Sequence, residues 1–169
     1  MSVSTALQKF MSEEIEEELV TEYVLCPEFE EVPAVIDSYK IYEKTVTSND
    51  GETEETKLSL VFTYSIDDQE AREALNRDKV LVNGEFIRLN LVKGKLDITG
   101  NQKLARMAKL LSNSPVGQTA GNFLESFKGS MVTAKVVHVA RQVKEGDDWV
   151  DLVEDGNVVY NAVVSAIAV

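Results

Sequence analysis

The chain has 169 residues, 44% hydrophobic and 27% charged, with a formal net charge of −12. That length supports one domain with a real core, and no apolar run approaches the ~20 residues of a membrane-spanning helix. A single cysteine and a single histidine exclude an internal disulfide and a Cys/His zinc cluster.

The opening MSVSTALQKFMSEEIEEELV has neither the basic leader nor the apolar core of a secretory signal, and with one unpaired thiol this predicts a reducing cytoplasm. Leu7, Met11, Ile15 and Leu19 recur every four residues with Phe10 beside them, so an acidic amphipathic helix is expected within residues 1–24. Its apolar stripe can dock on the body of the protein or on a second copy. Its glutamates, Glu13, Glu14, Glu16, Glu17 and Glu18, can instead imitate phosphate and occupy a basic groove. Residues 25–169 read as one β-barrel domain. Cys26 at its start reads as a small apolar filler, because the one candidate partner, His138, lies in a strand-like run.

From Ala34 to Val46 β-branched and aromatic residues dominate, and a polar turn at Asp50-Gly51 leads into KLSLVFTYSI with strict alternation. The two runs predict a long hairpin. DDQEAREALNRD predicts a short helix capped by Asp67 with Glu70 at the capping-box position. KVLVNGEFIRLNLVKGKLDI returns to strand, with turn signals at Asn83-Gly84 and Lys93-Gly94. Gly100-Asn101 opens a helix whose apolar stripe is Leu104, Met107, Ala108 and Leu111, and whose Lys103, Arg106 and Lys109 share another side. SNSPVGQTAGNF reads as a loop, LESFKGSMVTAKVVHVAR runs through a turn into a strand, QVKEGDDWVDLVEDGN is an acidic loop or hairpin arm, and VVYNAVVSAIAV is a final strand.

Charge is distributed in blocks. Residues 1–78 carry 20 acids and 6 bases, residues 79–144 carry 11 bases and 3 acids, and residues 145–169 carry 6 acids and no base. A middle region that basic can attract a polyanion inside an acidic chain, although clustering in sequence is also what a solvated surface produces.

Without the first helix and the 67–78 segment, the order β-β-β-α-β-β remains. That is the order of the five-stranded OB barrel, with its helix between strands three and four, and the fold class expected is mainly β with helices (α+β). An SH3-like barrel or a small sandwich shares much of the order. Through MSVSTALQKFMSEEIEEE, SIDDQEAREALNRDKV, GNQKLARMAKLLSNSPVGQ and FLESFKGSMVTAKVVHV, the chain resembles a group of bacteriophage proteins encoded among replication genes and related to OB-fold single-stranded DNA-binding proteins. The family pattern has a Gly-aromatic pair before the first strand, where this chain reads Glu28-Phe29-Glu30-Glu31. The resemblance implies non-catalytic, sequence-tolerant binding of single-stranded DNA in phage replication or recombination, in the cytoplasm of the infected host. Replication or recombination proteins and further copies of the chain are the other partners it allows. No membrane partner and no cofactor are expected.

Binding of that kind needs a cationic groove and flat side chains on which bases stack. On an OB barrel the surface is that of strands two and three with the flanking loops. The candidates are Lys40, Tyr42, Lys44, Lys57, Arg88, Lys135, Arg141 and Trp149, with Lys103, Arg106 and Lys109 as helix-borne phosphate contacts. Period two puts Lys40, Tyr42 and Lys44 on one face, as a stack-plus-phosphate unit; the alternative is a tyrosine closing the barrel end beside solvated lysines. Trp149 is a stacking platform or a lid on the core, among Asp147, Asp148 and Asp151. No phosphate-cradling glycine loop, nucleophile elbow or EF-hand spacing is present, so an enzyme is not expected. Acidic pairs such as Asp67/Asp68 and Asp147/Asp148 read as caps and turns before metal ligands. The rival is a structural or protein-interaction module, a virion component or an inhibitor, acting through acidic surfaces.

Overall fold

A computed structural model of the protein describes residues 4–15, 24–47, 51–98 and 100–169. Helix α1 (Thr5–Ser12) is capped by the Ser4 side chain, which accepts from the Leu7 N–H at 3.1 Å, and it buries none of its residues. It is shorter than expected: Glu13 is already extended. Glu13 and Glu14 would sit at the negative end of the helix dipole, which disfavours continuation there. Leu19 and Glu16, Glu17 and Glu18 lie outside the described residues.

Strands β1 (Phe29–Thr47) and β2 (Glu54–Ile66) form the long antiparallel hairpin, paired from Ala34↔Ile66 to Thr47↔Glu54. Helix α2 (Gln69–Leu75) follows. Its cap is Asp68, not Asp67: the Asp68 side chain accepts from the Ala71 N–H at 3.0 Å, and Asp67 instead pairs with Arg72 at 3.1 Å. The expected third strand is broken into β3 (Val80–Asn83) and β4 (Ile87–Leu89), both paired antiparallel with β2, so Asn83-Gly84 is a kink within one strand path and not a hairpin turn. Lys93 and Gly94, at φ 52° and 75°, do make the tight turn of a small hairpin, β5 (Leu91–Val92) with β6 (Lys95–Leu96).

Helix α3 (Gln102–Leu110) buries Leu104, Met107 and Ala108. A further helix, α4 (Ala120–Glu125), forms where a loop was expected, because Thr119 caps it by accepting from the Asn122 N–H at 3.1 Å, and it buries Phe123 and Leu124. β7 (Met131–Ala140) leads into an arm of two hairpins, β8 (Gln142–Glu145) with β9 (Asp148–Asp151) and β10 (Val153–Glu154) with β11 (Asn157–Val158), before β12 (Tyr160–Ala168).

The main sheet runs β12-β7-β1-β2-β3, with β4 also on β2. It therefore has six strands where five were expected. Among the described residues its ends meet at one parallel bridge, Gly84↔Val164, and not along a continuous ladder, so the barrel is not closed. Gly84 makes that approach possible: a Cβ there would lie 3.0 Å from the Tyr64 ring and 3.4 Å from the Phe62 carbonyl. The architecture is mainly β with helices, built on one open six-stranded sheet. Its core is built on Ile36, Leu60, Phe62, Ile66, Leu104, Phe123 and Phe127, all nearly inaccessible.

Candidate nucleic-acid interface

A β-bulge decides which side chains of β1 face outward. Val32, Ala34 and Ile36 point into the core, and continued alternation would send Lys40, Tyr42 and Lys44 after them. The register shifts between Ile36 and Ser38, so Tyr39 packs toward the core and the next even-numbered residues turn outward. Lys79 Nζ, 2.5 Å from the Asp37 carboxylate, ties the bulge to the start of β3; this hydrogen bond and ion pair lower the Asp37 pKa.

Beyond the bulge the registers align rows across the outer face. Ser38, Thr63 and Asn83 form one row, with the Thr63 hydroxyl donating to Asn83 Oδ1 at 2.8 Å. Tyr42, Ser59 and Arg88 form another, and Lys44 stands directly opposite Lys57. Like charges directly opposite on a sheet repel, a cost that an anion between them removes. Lys40 Nζ lies 4.9 Å from the Tyr42 ring centre, and the Phe86 ring lies 5.6 Å from that of Tyr42. Phe86 is 68% exposed. Among the described residues Lys40, Lys44, Lys57, Arg88 and Arg141 form no salt bridge; Lys79, Lys103, Lys128 and Lys135 each do. Glu43 stands between Tyr42 and Lys44 on the opposite side of β1, and on the outward rows the nearest carboxylate in the register is Glu55, opposite Val46 toward the hairpin tip.

A groove of about 1070 Å³ borders this face. Tyr42, Val61, Thr63, Asn83, Phe86 and Arg141 are among its lining residues. Arg141 is positioned by the base of the double-hairpin arm, where its N–H donates to the Val159 carbonyl at 2.8 Å and its carbonyl accepts from the Leu152 N–H at 2.7 Å. At the other wall, Val24, Leu25 and Cys26 also line the groove. The Cys26 carbonyl lies 2.7 Å from His138 Nε2, and the Glu28 carboxylate accepts from the His138 N–H at 3.2 Å, fastening this segment to β7. Burial, with Asp68 adding to it, pushes the Cys26 thiol up to about 11, which leaves it a poor nucleophile at neutral pH.

Five of the expected residues, Lys40, Tyr42, Lys44, Lys57 and Arg88, thus share one face, and Arg141 shares the groove with Tyr42. The others lie apart. Lys135 projects from β7 and pairs with Glu30 at 3.5 Å. Trp149 stands on β9 opposite Lys144, 65% exposed and outside the groove lining. Lys103 and Arg106 line a separate apolar cavity, Lys103 holding Glu85 at 2.9 Å, and Lys109 lines a third depression on the other side of α3. Phe86, Thr63 and Asn83 are additions. The alternation Phe86-Ile87-Arg88-Leu89 carried the signal for Phe86, which shares its side with Arg88. Among the described residues no group of three His, Cys, Asp or Glu side chains is placed to hold a metal ion.

No family model and no curated protein matches the chain. A solved structure described as yeast RPA bound to ssDNA aligns with 100% of this chain and 88% of that one, at 12% identity and a TM-score of 0.35. A likeness at that level decides neither fold nor function.

Proposed function

We propose that the protein is an OB-like, non-catalytic, sequence-tolerant single-stranded DNA-binding protein, acting in phage replication or recombination in the cytoplasm of the infected host. The observation that carries this reading is the outer face of β1, β2 and β4. It presents two exposed aromatic rings in contact, flanked by four cations that form no salt bridge among the described residues, two of them directly opposed. Stacking on rings is worth ~1–3 kcal/mol per base and tolerates any base, while lysines and arginines track phosphate. The order β12-β7-β1-β2-β3 with helices between the third and fourth strand paths supports the OB-like assignment, as does a parallel contact between its ends. On this reading the Lys44–Lys57 pair and Arg88 hold phosphates, Tyr42 and Phe86 hold bases, and Arg141 closes the groove from the arm.

The test is fluorescence anisotropy of a labelled single-stranded oligonucleotide at low and moderate salt. Binding is expected, and Tyr42→Ala and Phe86→Ala should each weaken it by roughly 5- to 150-fold, the range that ~1–3 kcal/mol represents. A wild-type protein that fails to bind at low salt, or ring deletions that bind like wild type, would overturn the assignment. Failure of binding leaves the structural or protein-interaction module as the reading.

A further inference from the structure

Helix α1 has an apolar face with nothing on it. Leu7, Phe10 and Met11 recur at i, i+3 and i+4, and they are 49%, 72% and 74% exposed. Just beyond the helix stand Glu13 and Glu14. Glu13 reaches Lys9 at 3.9 Å, and Glu14 has no ion-pair partner among the described residues.

A cavity of about 440 Å³ opens at the seam where β3, β4 and β12 fail to pair. Its floor is apolar, built from Phe62, Tyr64, Ile87, Met107, Val164 and Ile167. Its rim carries Lys103 and Arg106 from α3 and Glu85 from the kink. Lys103 neutralises Glu85 at 2.9 Å, so Arg106 is the rim charge left without an ion-pair partner among the described residues. This separates Lys103 and Arg106 from the sheet face and gives them a different chemistry: a cationic lip on an apolar hole.

We propose that α1 of one copy inserts its Leu7–Phe10–Met11 face into this seam cavity of a second copy, with Glu14 meeting Arg106. The apolar stripe matches the apolar floor, and the acid following it matches the free cation. A second copy is the occupant because α1 of the chain itself stands undocked with every residue exposed. Helix and cavity are different surfaces, so the contact is heterologous and each copy keeps one free helix and one free cavity, which propagates into an open row. One short helix buries less than a standard interface, so the association is weak and depends on concentration. If the DNA-binding reading holds, copies aligned on one strand would supply that concentration, and coating would be cooperative.

Sedimentation velocity without DNA tests the proposal separately from the binding reading. The wild-type sedimentation coefficient should climb between micromolar and near-millimolar protein at low salt, and climb less at high salt. Phe10→Asp, which spoils the helix, and Arg106→Glu, which spoils the lip, should each remain monomeric. Both positions are exposed, so neither change threatens folding. Mixing the two variants should restore a dimer and nothing larger, since only one good helix and one good cavity are then available. A wild type that stays monomeric throughout, variants that associate like wild type, or a mixture that gives no dimer would each overturn it.

Discussion

Asn101 is the one buried polar side chain of the described core, at 3% exposure, and each of its hydrogen bonds serves placement. Its Oδ1 accepts from the Asn90 N–H at 2.9 Å, and its Nδ2 donates to the Asn90 carbonyl at 3.0 Å and to the Asp97 carbonyl. The side chain thereby clamps the start of α3 to the chain leaving β4. Asn101→Ala would strand the Asn90 N–H and remove the tie to the Asp97 carbonyl, while the Asn90 carbonyl keeps the Asp97 N–H at 3.1 Å. The expected loss is about 1–3 kcal/mol of stability for the unsatisfied groups, read as a lower midpoint in denaturant titration at unchanged slope. An unchanged midpoint would mean that water reaches these groups. Sequence reasoning recognised Gly100-Asn101 as a helix start, but nothing local shows that Asn101 reaches back eleven residues.

Among the elements, the β1 bulge matters most for the candidate site. Alternation alone predicts a common face for Lys40, Tyr42 and Lys44, and the structure has that face. It does not predict which way the face points, because Val32, Ala34 and Ile36 are core while Lys40, Tyr42 and Lys44 are surface. Tertiary pairing settles this, since β2 holds β1 on both sides of the bulge while the chain at the start of β7 holds it only as far as Ile36. The same limit explains the broken third strand, where the Asn83-Gly84 turn signal is overridden by two segments pairing with one partner, and α4, too short for periodicity to reveal. The bulge also has a pH signature. The Asp37 pKa lies below its usual 3.8, first through the Lys79 hydrogen bond. A carboxyl depressed in the folded state contributes stability that is complete above its unfolded pKa and lost as pH falls through the lower folded value. The contribution should therefore fade below about pH 4, and Lys79→Met should remove it. Thermal melts at neutral pH and at pH near 3 provide the check: the variant's deficit should be larger at neutral pH. An equal deficit at both would show that the pair does not stabilise the bulge.

At the scale of the whole molecule, the proposed function sets a net charge of −12, which opposes any polyanion, against an outer sheet face that would attract one. Which wins depends on distance. At moderate salt the Debye length is ~10 Å, so remote carboxylates are screened while phosphates lying on Lys44, Lys57 and Arg88 are not. At ~0.01 M salt the length grows to ~30 Å and the acidic N-terminal and C-terminal blocks act on the approaching strand as well. The basic block in the middle of the sequence was legible from composition, but the cations that converge come largely from outside it: Lys40, Lys44 and Lys57 belong to the acidic first half, and register on the sheet brings Arg88 to them. Folding thus reassigns charge that composition assigned to blocks. The expected consequence is a curved salt dependence. Log affinity should fall by roughly 0.7 per phosphate contact for each decade of moderate salt, and the double change Lys44→Glu, Lys57→Glu should flatten that slope by about 1.4. Below that range the wild-type curve should level off as whole-molecule repulsion returns. Anisotropy titrations across the salt series measure both. A straight line to the lowest salt, or a slope indifferent to Lys44 and Lys57, would mean that the strand is held somewhere other than this face.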